Sequence, residues 1–369
     1  MLTEAAVLWQ SGMDWKIEQV ELDEPGAGEV LVRVDAAGLC HSEEHHLTGD
    51  VPLAAPVIGG HEGAGVVEAV GPGVTLAAPG DHIVFSSIPN CGRCPSCATG
   101  QQNLCDRAAL IGDGLQLSDH TSRHHTRGTD LTITCLVGCY ARHTVVNEAS
   151  VVRIDRGIPA EVACLVGCGV PTGWGSVVYA GGARPGDDVA VIGVGGLGSA
   201  AVQGARMAGA RRIFAIDPVE WKLEKARSFG ATHTAADVTS ALPLIQEVTW
   251  GRMCQVVVAT MGVGRGDLMS AILALAGKRG RVVVTNIHPV ADTRPVLSLL
   301  ELAQWEKQIV GCIFGSVNSR ADIPRLLGLY RDGLLDLDSM VTRTYPLHDI
   351  NQGYQDLRDG KNIRGVLRL

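Results

Sequence analysis

Apolar and polar positions along the first ninety residues fall into short β-like runs at Ala5–Trp9, Lys16–Leu22, Val30–Ala36, Gly65–Val70 and His82–Ser86. Pro25-Gly26-Ala27-Gly28, Gly71-Pro72-Gly73 and Pro79-Gly80-Asp81 break the chain between them. The pattern predicts a mostly β region with one helical interruption, His41 to Leu47. Residues 91–105 carry a cluster of cysteines, and residues 112–134 read as a polar loop with little periodicity. From Arg184-Pro185-Gly186-Asp187 the texture changes. A strand (Val189–Ile192), a Gly-rich turn, a helix (Leu197–Ala208) and a second strand (Arg212–Ile216) follow in order. Further strand-like runs at Gln255–Thr260 and Arg281–Thr285 alternate with helical patterns, which predicts a parallel, doubly wound sheet. The last fifty residues predict helices over Asp322–Asp332 and Leu347–Asp359 and a final short strand, Gly365–Leu369. The fold class is therefore α/β, with a β-rich part and a doubly wound part.

Length and composition fit that division. A chain of 369 residues exceeds one ordinary core, so two domains are expected. A net charge of −8, with no basic run, argues against nucleic acid as a partner, because phosphate contacts need clustered Lys and Arg. The start Met1-Leu2-Thr3-Glu4 lacks the basic and apolar regions of a secretory leader, and no apolar run reaches membrane-span length. The expected location is the cytoplasm. The eleven cysteines then point to metal or catalysis rather than disulfides, since cytosolic thiols stay reduced.

Gly193-Val194-Gly195-Gly196-Leu197-Gly198 fits Gly-x-Gly-x-x-Gly between a strand and a helix. The first glycine permits the tight turn, and the second lets backbone approach a pyrophosphate. The third lets helix and strand pack closely, with the helix N-terminus facing the phosphates. Asp217, at the end of the next strand, can accept from both ribose hydroxyls and repels a 2′-phosphate. Pro218, Val219 and Glu220 offer no cation for that phosphate, so NAD is expected rather than NADP. Lys222 is placed to reach the ribose, or else is a solvated helix lysine.

Cys91, Cys94, Cys97 and Cys105 lie among Gly92, Pro95 and Gly100, at spacings that wrap one Zn²⁺ with no open position. Such a site staples a lobe and does no chemistry. The other cysteines are scattered, and a lone thiol is more often a small core hydrophobe than a ligand. Three contexts nonetheless stand out: Cys40, which ends a strand ahead of Ser42 and His45; His61, within Gly59-Gly60-His61-Glu62-Gly63; and Cys168, within Gly167-Cys168-Gly169 just ahead of Pro171-Thr172-Gly173. Two thiolates and an imidazole leave a fourth zinc position open, although spacing alone does not select these three. His120, His124 and His125 have no thiolate or acid pattern beside them and read as a solvated loop.

Gly-His-Glu-Gly near residue 60, the four-cysteine run at 91–105 and Gly-Val-Gly-Gly-Leu-Gly at 193–198 occur in one order along the chain. In that order they resemble the zinc-containing medium-chain alcohol dehydrogenases, over nearly the full length. Gly59 to Gly65, Cys91 to Cys97 and Phe314-Gly315-Ser316 are most similar to the actinobacterial nicotinoprotein, or NDMA-dependent, branch. The resemblance implies a GroES-like catalytic domain over 1–169 with the zinc lobe at 91–105. It further implies a Rossmann domain over 170–312 and a return to the catalytic domain over 313–369. It implies Cys40, His61 and Cys168 as ligands of a catalytic zinc, with Glu62 as the nearby carboxylate.

Ser42 and His45 match the proton relay, running through the cofactor ribose to solvent. His41 and Arg364 match phosphate contacts, and Thr172 a position beside the nicotinamide. The Gly193, Gly195, Gly196, Leu197, Gly198, Asp217 and Lys222 set completes the cofactor site. The implied activity is reversible hydride transfer between an alcohol and NAD, with one catalytic and one structural zinc per chain. The implied partners are small alcohols, aldehydes or ketones and further copies of the chain, with no membrane or nucleic acid. A thiol-dependent formaldehyde dehydrogenase shares the same machinery, and a non-catalytic dinucleotide-binding protein shares the scaffold. Two departures from the family pattern are Glu43, where an Asp usually orients the zinc-bound imidazole, and Ser87, where a bulky aromatic is common.

Overall fold

A computed structural model describes all 369 residues. It forms two compact units, Met1–Cys168 with Asn318–Gly333 and Leu337–Leu369, and Gly169–Val317 with Leu334–Asp336.

In the first unit, β1 (Leu2–Leu8) and β2 (Lys16–Leu22) pair antiparallel, with Thr3 opposite Val20 and Ala5 opposite Glu18. Lys-Ile-Glu-Gln-Val-Glu-Leu in β2 buries every second residue, the signature of a sheet with one wet face. The long β3 (Glu29–Gly38) is buried on both faces and carries valines at 30, 32 and 34 into the core. β4 (Val57–Ile58), β5 (Gly63–Val70) and β6 (His82–Phe85) follow. The 112–134 segment is not a simple loop. It contains a hairpin, β7 (His124–Thr126) and β8 (Thr129–Ile133), turned by Arg127 and Gly128, both at positive φ. Positive φ at both central residues gives the twist that two antiparallel strands need. The hairpin closes a barrel in the order β1-β2-β7-β8-β4. β9 (His143–Asn147) pairs with β3, and β10 (Val151–Arg153) pairs with β6.

Helix α1 (His41–Thr48) leaves β3 at Cys40 and ends at Gly49, which adopts φ 81° and turns the chain sharply back. It buries Glu43, Glu44, His45 and Leu47. A helix that buries mostly polar side chains gains little from apolar burial and needs partners for each of them. Glu44 finds one in Arg358, whose Nε and Nη2 bind it at 2.7 and 3.0 Å.

The second unit is a six-stranded, wholly parallel sheet of β11 (Asp188–Ile192), β12 (Arg212–Ile216), β13 (His233–Ala235), β14 (Cys254–Ala259), β15 (Ala276–Val284) and β16 (Gln308–Gly311). Its order, β13-β12-β11-β14-β15-β16, reverses direction between β11 and β14. That reversal is the topological switch point at which α/β sheets bind dinucleotides. Every residue of β11 is buried, as a strand covered on both faces requires.

The chain ends back in the first unit. β17 (Val341–Pro346) and β18 (Arg364–Arg368) run parallel, and β18 lies antiparallel on β3 with Val366 opposite Gly38. No single helix is long and apolar enough to cross a membrane.

Candidate functional site

The four cysteines of the lobe converge. Cys91 Sγ lies 3.9 Å from Cys97 Sγ, and Cys94 Sγ lies 3.9 Å from Cys105 Sγ. Zn–S bonds of about 2.3 Å at tetrahedral angles put sulfurs about 3.8 Å apart, so the set fits a closed zinc site. The short helix Pro95–Ala98 shapes it, with the Cys97 amide donating to Cys94 Sγ.

A second group draws on three distant stretches: Cys40, His61 and Cys168 hold their ligand atoms within 4.8 Å of one another. Cys40 and His61 are buried and Cys168 is partly so. Two sulfurs and one ring nitrogen leave one position open for a further ligand. Cys164 stands apart, its thiol donating to the Glu161 carbonyl. Cys135 and Cys139 lie close enough to feel His61, but burial pushes Cys135 up to about 11 and Cys139 well above a thiol's usual value, so both stay protonated.

The surroundings of this group are acidic. Glu43, fully buried, contacts His61 Nδ1 at 2.5 Å through Oε1, so its extra methylene does not break the expected bond. Its other oxygen, Oε2, has no partner. Burial would lower His61, but the charge of Glu43 first, and then the Cys168 sulfur, carry it well above an ordinary imidazole. A hydrogen bond from Cys168, against the opposing effect of burial, holds the Cys40 thiol well below its usual range. Glu62 is buried too, and the guanidinium Nη2 of buried Arg364 binds it across 302 residues of sequence. Arg364 Nη1 donates to the Leu39 carbonyl, while its Nε is buried without a partner. The glycines before His61 serve packing: a Cβ on Gly60, at φ 92°, would stand 2.4 Å from the Tyr140 ring.

Ser42 Oγ lies 3.5 Å from Cys40 Sγ, and His41, Ser42 and His45 all ride on α1. His45 is only 1% exposed, so it is not itself the solvent end of a relay. Its Nδ1 meets Asp50 Oδ2 at 3.1 Å, and Asp50, whose side chain is 30% exposed, also accepts from Thr48 Oγ1 at 2.9 Å. The Thr48 and His45 bonds hold the Asp50 carboxyl below its ordinary range. Sequence reasoning missed Asp50. The signal was present in Gly49, which ends α1 and folds the next residue back onto His45.

In the second unit the glycine turn follows β11 and opens the helix Gly196–Met207. A Cβ on Gly198 would lie 1.9 Å from the Gly193 carbonyl, so the turn admits nothing larger there. Gly195 faces open space, and the helix start has neither a side-chain cap nor an acidic residue in its first turn. Those free amides suit an anion. Asp217, 7% exposed, accepts from the amides of Val194 and Val219, each at 2.9 Å, and so ties the turn to the end of β12. Half-buried Lys222 is lowered by burial, with Asp217 opposing. Thr172 is buried in the same unit, and its carbonyl accepts from Ser176 Oγ at 2.6 Å. Ser87, in the first unit, is buried with its amide on the Gly167 carbonyl at 3.3 Å. His124 is the one member of the histidine trio that departs fully from a solvated loop. It is 1% exposed, with Nε2 3.2 Å from Thr144 Oγ1.

Residues 26–156 match the alcohol dehydrogenase GroES-like domain, and residues 196–332 match the zinc-binding dehydrogenase domain. Alcohol dehydrogenase B of Mycobacterium tuberculosis is 49% identical over 369 residues, covering 100% of this chain and 98% of its own. The NDMA-dependent alcohol dehydrogenase of Amycolatopsis methanolica is 48% identical over 367 residues, covering 100% and 99%. Among solved structures, an alcohol dehydrogenase zinc-binding domain protein from Burkholderia ambifaria has a TM-score of 0.93 at 32% identity, covering 100% and 99%. Benzyl alcohol dehydrogenase from Acinetobacter calcoaceticus has a TM-score of 0.92 at 28% identity, with the same coverage. With both cysteine sets assembled and likeness of this extent, the chain belongs to the zinc-containing medium-chain alcohol dehydrogenases.

Proposed function

We propose that the chain catalyses reversible hydride transfer between a primary or secondary alcohol and NAD, with Cys40, His61 and Cys168 holding a catalytic zinc and Cys91, Cys94, Cys97 and Cys105 a structural one. The observation that carries this is the three-ligand group with one open position, beside a hydroxyl and a buried histidine on one helix. A zinc ion held by these residues would supply Lewis-acid polarisation of an alcohol oxygen, and a bound NAD would supply the hydride acceptor. The residues do the rest. Ser42 Oγ accepts the alcohol proton as it gives up its own hydroxyl proton towards His45, which Asp50 orients to pass it outward, so that no charge is stranded in a dry site. Glu43 fixes the ring of His61 through Nδ1, leaving Nε2 for the metal.

Arg364 neutralises Glu62 and keeps Nε for a phosphate oxygen, His41 gives a second phosphate contact, and Thr172 borders the nicotinamide. Gly193, Gly195, Gly196, Leu197 and Gly198 cradle the pyrophosphate, while Asp217 and Lys222 take the ribose. Residues 1–169 and 313–369 thus carry the alcohol chemistry, and 170–312 the dinucleotide. Likeness to the NDMA-dependent relative supports a retained, tightly bound NAD. The exposed Leu299, Leu300, Ile309 and Ile313 on and around edge strand β16 support a homo-oligomer joined along that edge. The thiol-rich lobe needs a reducing compartment, which supports the cytoplasm.

A native mass spectrum of the protein as purified tests the set together. Two zincs and one NAD(H) per chain, in a multimer, are expected. One zinc would remove the catalytic assignment, and two zincs without dinucleotide would leave an ordinary, exchangeable NAD.

A further inference from the structure

The parallel sheet of the second unit leaves a row of residues just past its carboxyl ends. Register aligns Ile192 of β11 with Ala259 of β14, Ala259 with Val284 of β15, and Val284 with Gly311 of β16. Gly193, Thr260, Thr285 and Cys312 therefore stand side by side. Strands about 4.8 Å apart put the Thr285 position about 10 Å from the glycine turn, away from Asp217. Asp217, at the end of β12 on the other side of β11, marks where the adenosine half of a dinucleotide lies. The remaining half must run over β14 and β15, because a dinucleotide straddles the switch point.

At that place three side-chain atoms are covered and without partners: Thr285 Oγ1, Asn286 Nδ2 and Asn286 Oδ1. An asparagine with neither its donor nor its acceptor engaged is costly, and a strand that ends in valines has no packing need for it. The neighbouring hydroxyl in the row, Thr260 Oγ1, is fully used on the Ile192 and Gly193 carbonyls at 2.9 and 2.7 Å. Past the carboxyl ends of β14 and β15, the unpartnered atoms are thus those of Thr285 and Asn286, in the stretch the nicotinamide half would cover. We propose that Asn286 pairs its carboxamide with the carboxamide of the nicotinamide ring, donor to acceptor and acceptor to donor, and that the Thr285 hydroxyl adds a bond to the same half of the cofactor. This inference rests on the NAD reading above and deepens it: these two residues, rather than the glycine turn, distinguish the whole dinucleotide from its ADP-ribose portion and favour its retention.

The test uses the full-length, zinc-loaded protein freed of retained dinucleotide, titrated with NADH and with ADP-ribose by fluorescence. Asn286→Leu and Thr285→Val keep shape and remove polarity. Asn286→Leu should weaken NADH binding about 10- to 100-fold, Thr285→Val by less, with ADP-ribose affinity unchanged in both. The ligand-free variants should melt no lower than wild type, because an orphaned polar group has been replaced by an apolar one. Unchanged NADH affinity, or an equal fall for NADH and ADP-ribose, would overturn the assignment. If wild type binds neither ligand, the NAD reading itself falls and this inference with it.

Discussion

Acid should open the barrel of the first unit through one histidine. His124 starts β7 and is 1% exposed. Thr144 Oγ1 donates to the Val137 carbonyl at 2.8 Å, so towards His124 it accepts, and Nε2 of the ring must carry the proton of a neutral imidazole. Burial first, then the nearby positive His125 and Arg123, outweigh the opposing charge of Asp23 and lower its pKa to about 3. In the unfolded chain the same group titrates near about 6.5. Between those values the unfolded chain binds the extra proton, so the folded barrel keeps its full stability above about pH 6.5 and loses it as pH falls. At pH 5 the loss is about 2 kcal/mol, and near pH 3 it levels off at about 5 kcal/mol. Hydrogen exchange of the Thr126 and Leu131 amides, corrected for intrinsic rates, reads the opening of this hairpin directly. His124→Gln keeps a donor and removes the titration, so its opening free energy should fall by about 2 kcal/mol less than wild type between pH 7.5 and 5. Equal pH slopes in the two proteins would refute the argument, and would mean that His124 gains water or a counter-charge on protonation.

Asp50→Asn should lower the rate of alcohol oxidation roughly 10- to 100-fold and enlarge its solvent isotope effect while both zincs remain, since only the orientation of His45 changes. A raised KM with unaltered kcat would remove Asp50 from the relay. Cys168→Ala should lose one of two zincs and all activity, and retention of two would point to another thiol. Gly198→Ala places a Cβ 1.9 Å from the Gly193 carbonyl and should abolish NADH binding with zinc content intact. A normal titration curve there would show that the turn relaxes without cost.

What could be read from residues alone was what is local along the chain. The lobe ligands lie within fifteen residues, and the glycine turn, its strand and its helix within twenty, so spacing and periodicity suffice to propose both. The Cys40, His61 and Cys168 group has no such locality. Only likeness to a family selected it before the fold brought its atoms within 4.8 Å. The misreading of 112–134 has the same origin in reverse. Arg127-Gly128 lacks the Asn or Asp that advertises a two-residue hairpin, and the strands beside it are held by pairing to β2 and β4, which no local pattern reports. Local pattern therefore puts His124 in water, whereas Leu131 opposite it, and Ile133 two residues on, belong to a buried face.

Arg364 and Glu62 make the point sharper. Each alone is a charge that belongs on a surface, and both are buried because β18 returns to lie on β3, close to Glu62 just ahead of β5. The groups least legible in the sequence were thus polar residues whose partners arrive from elsewhere in the fold. An orphan such as Asn286 extends that logic by one step, to a partner the chain does not itself contain.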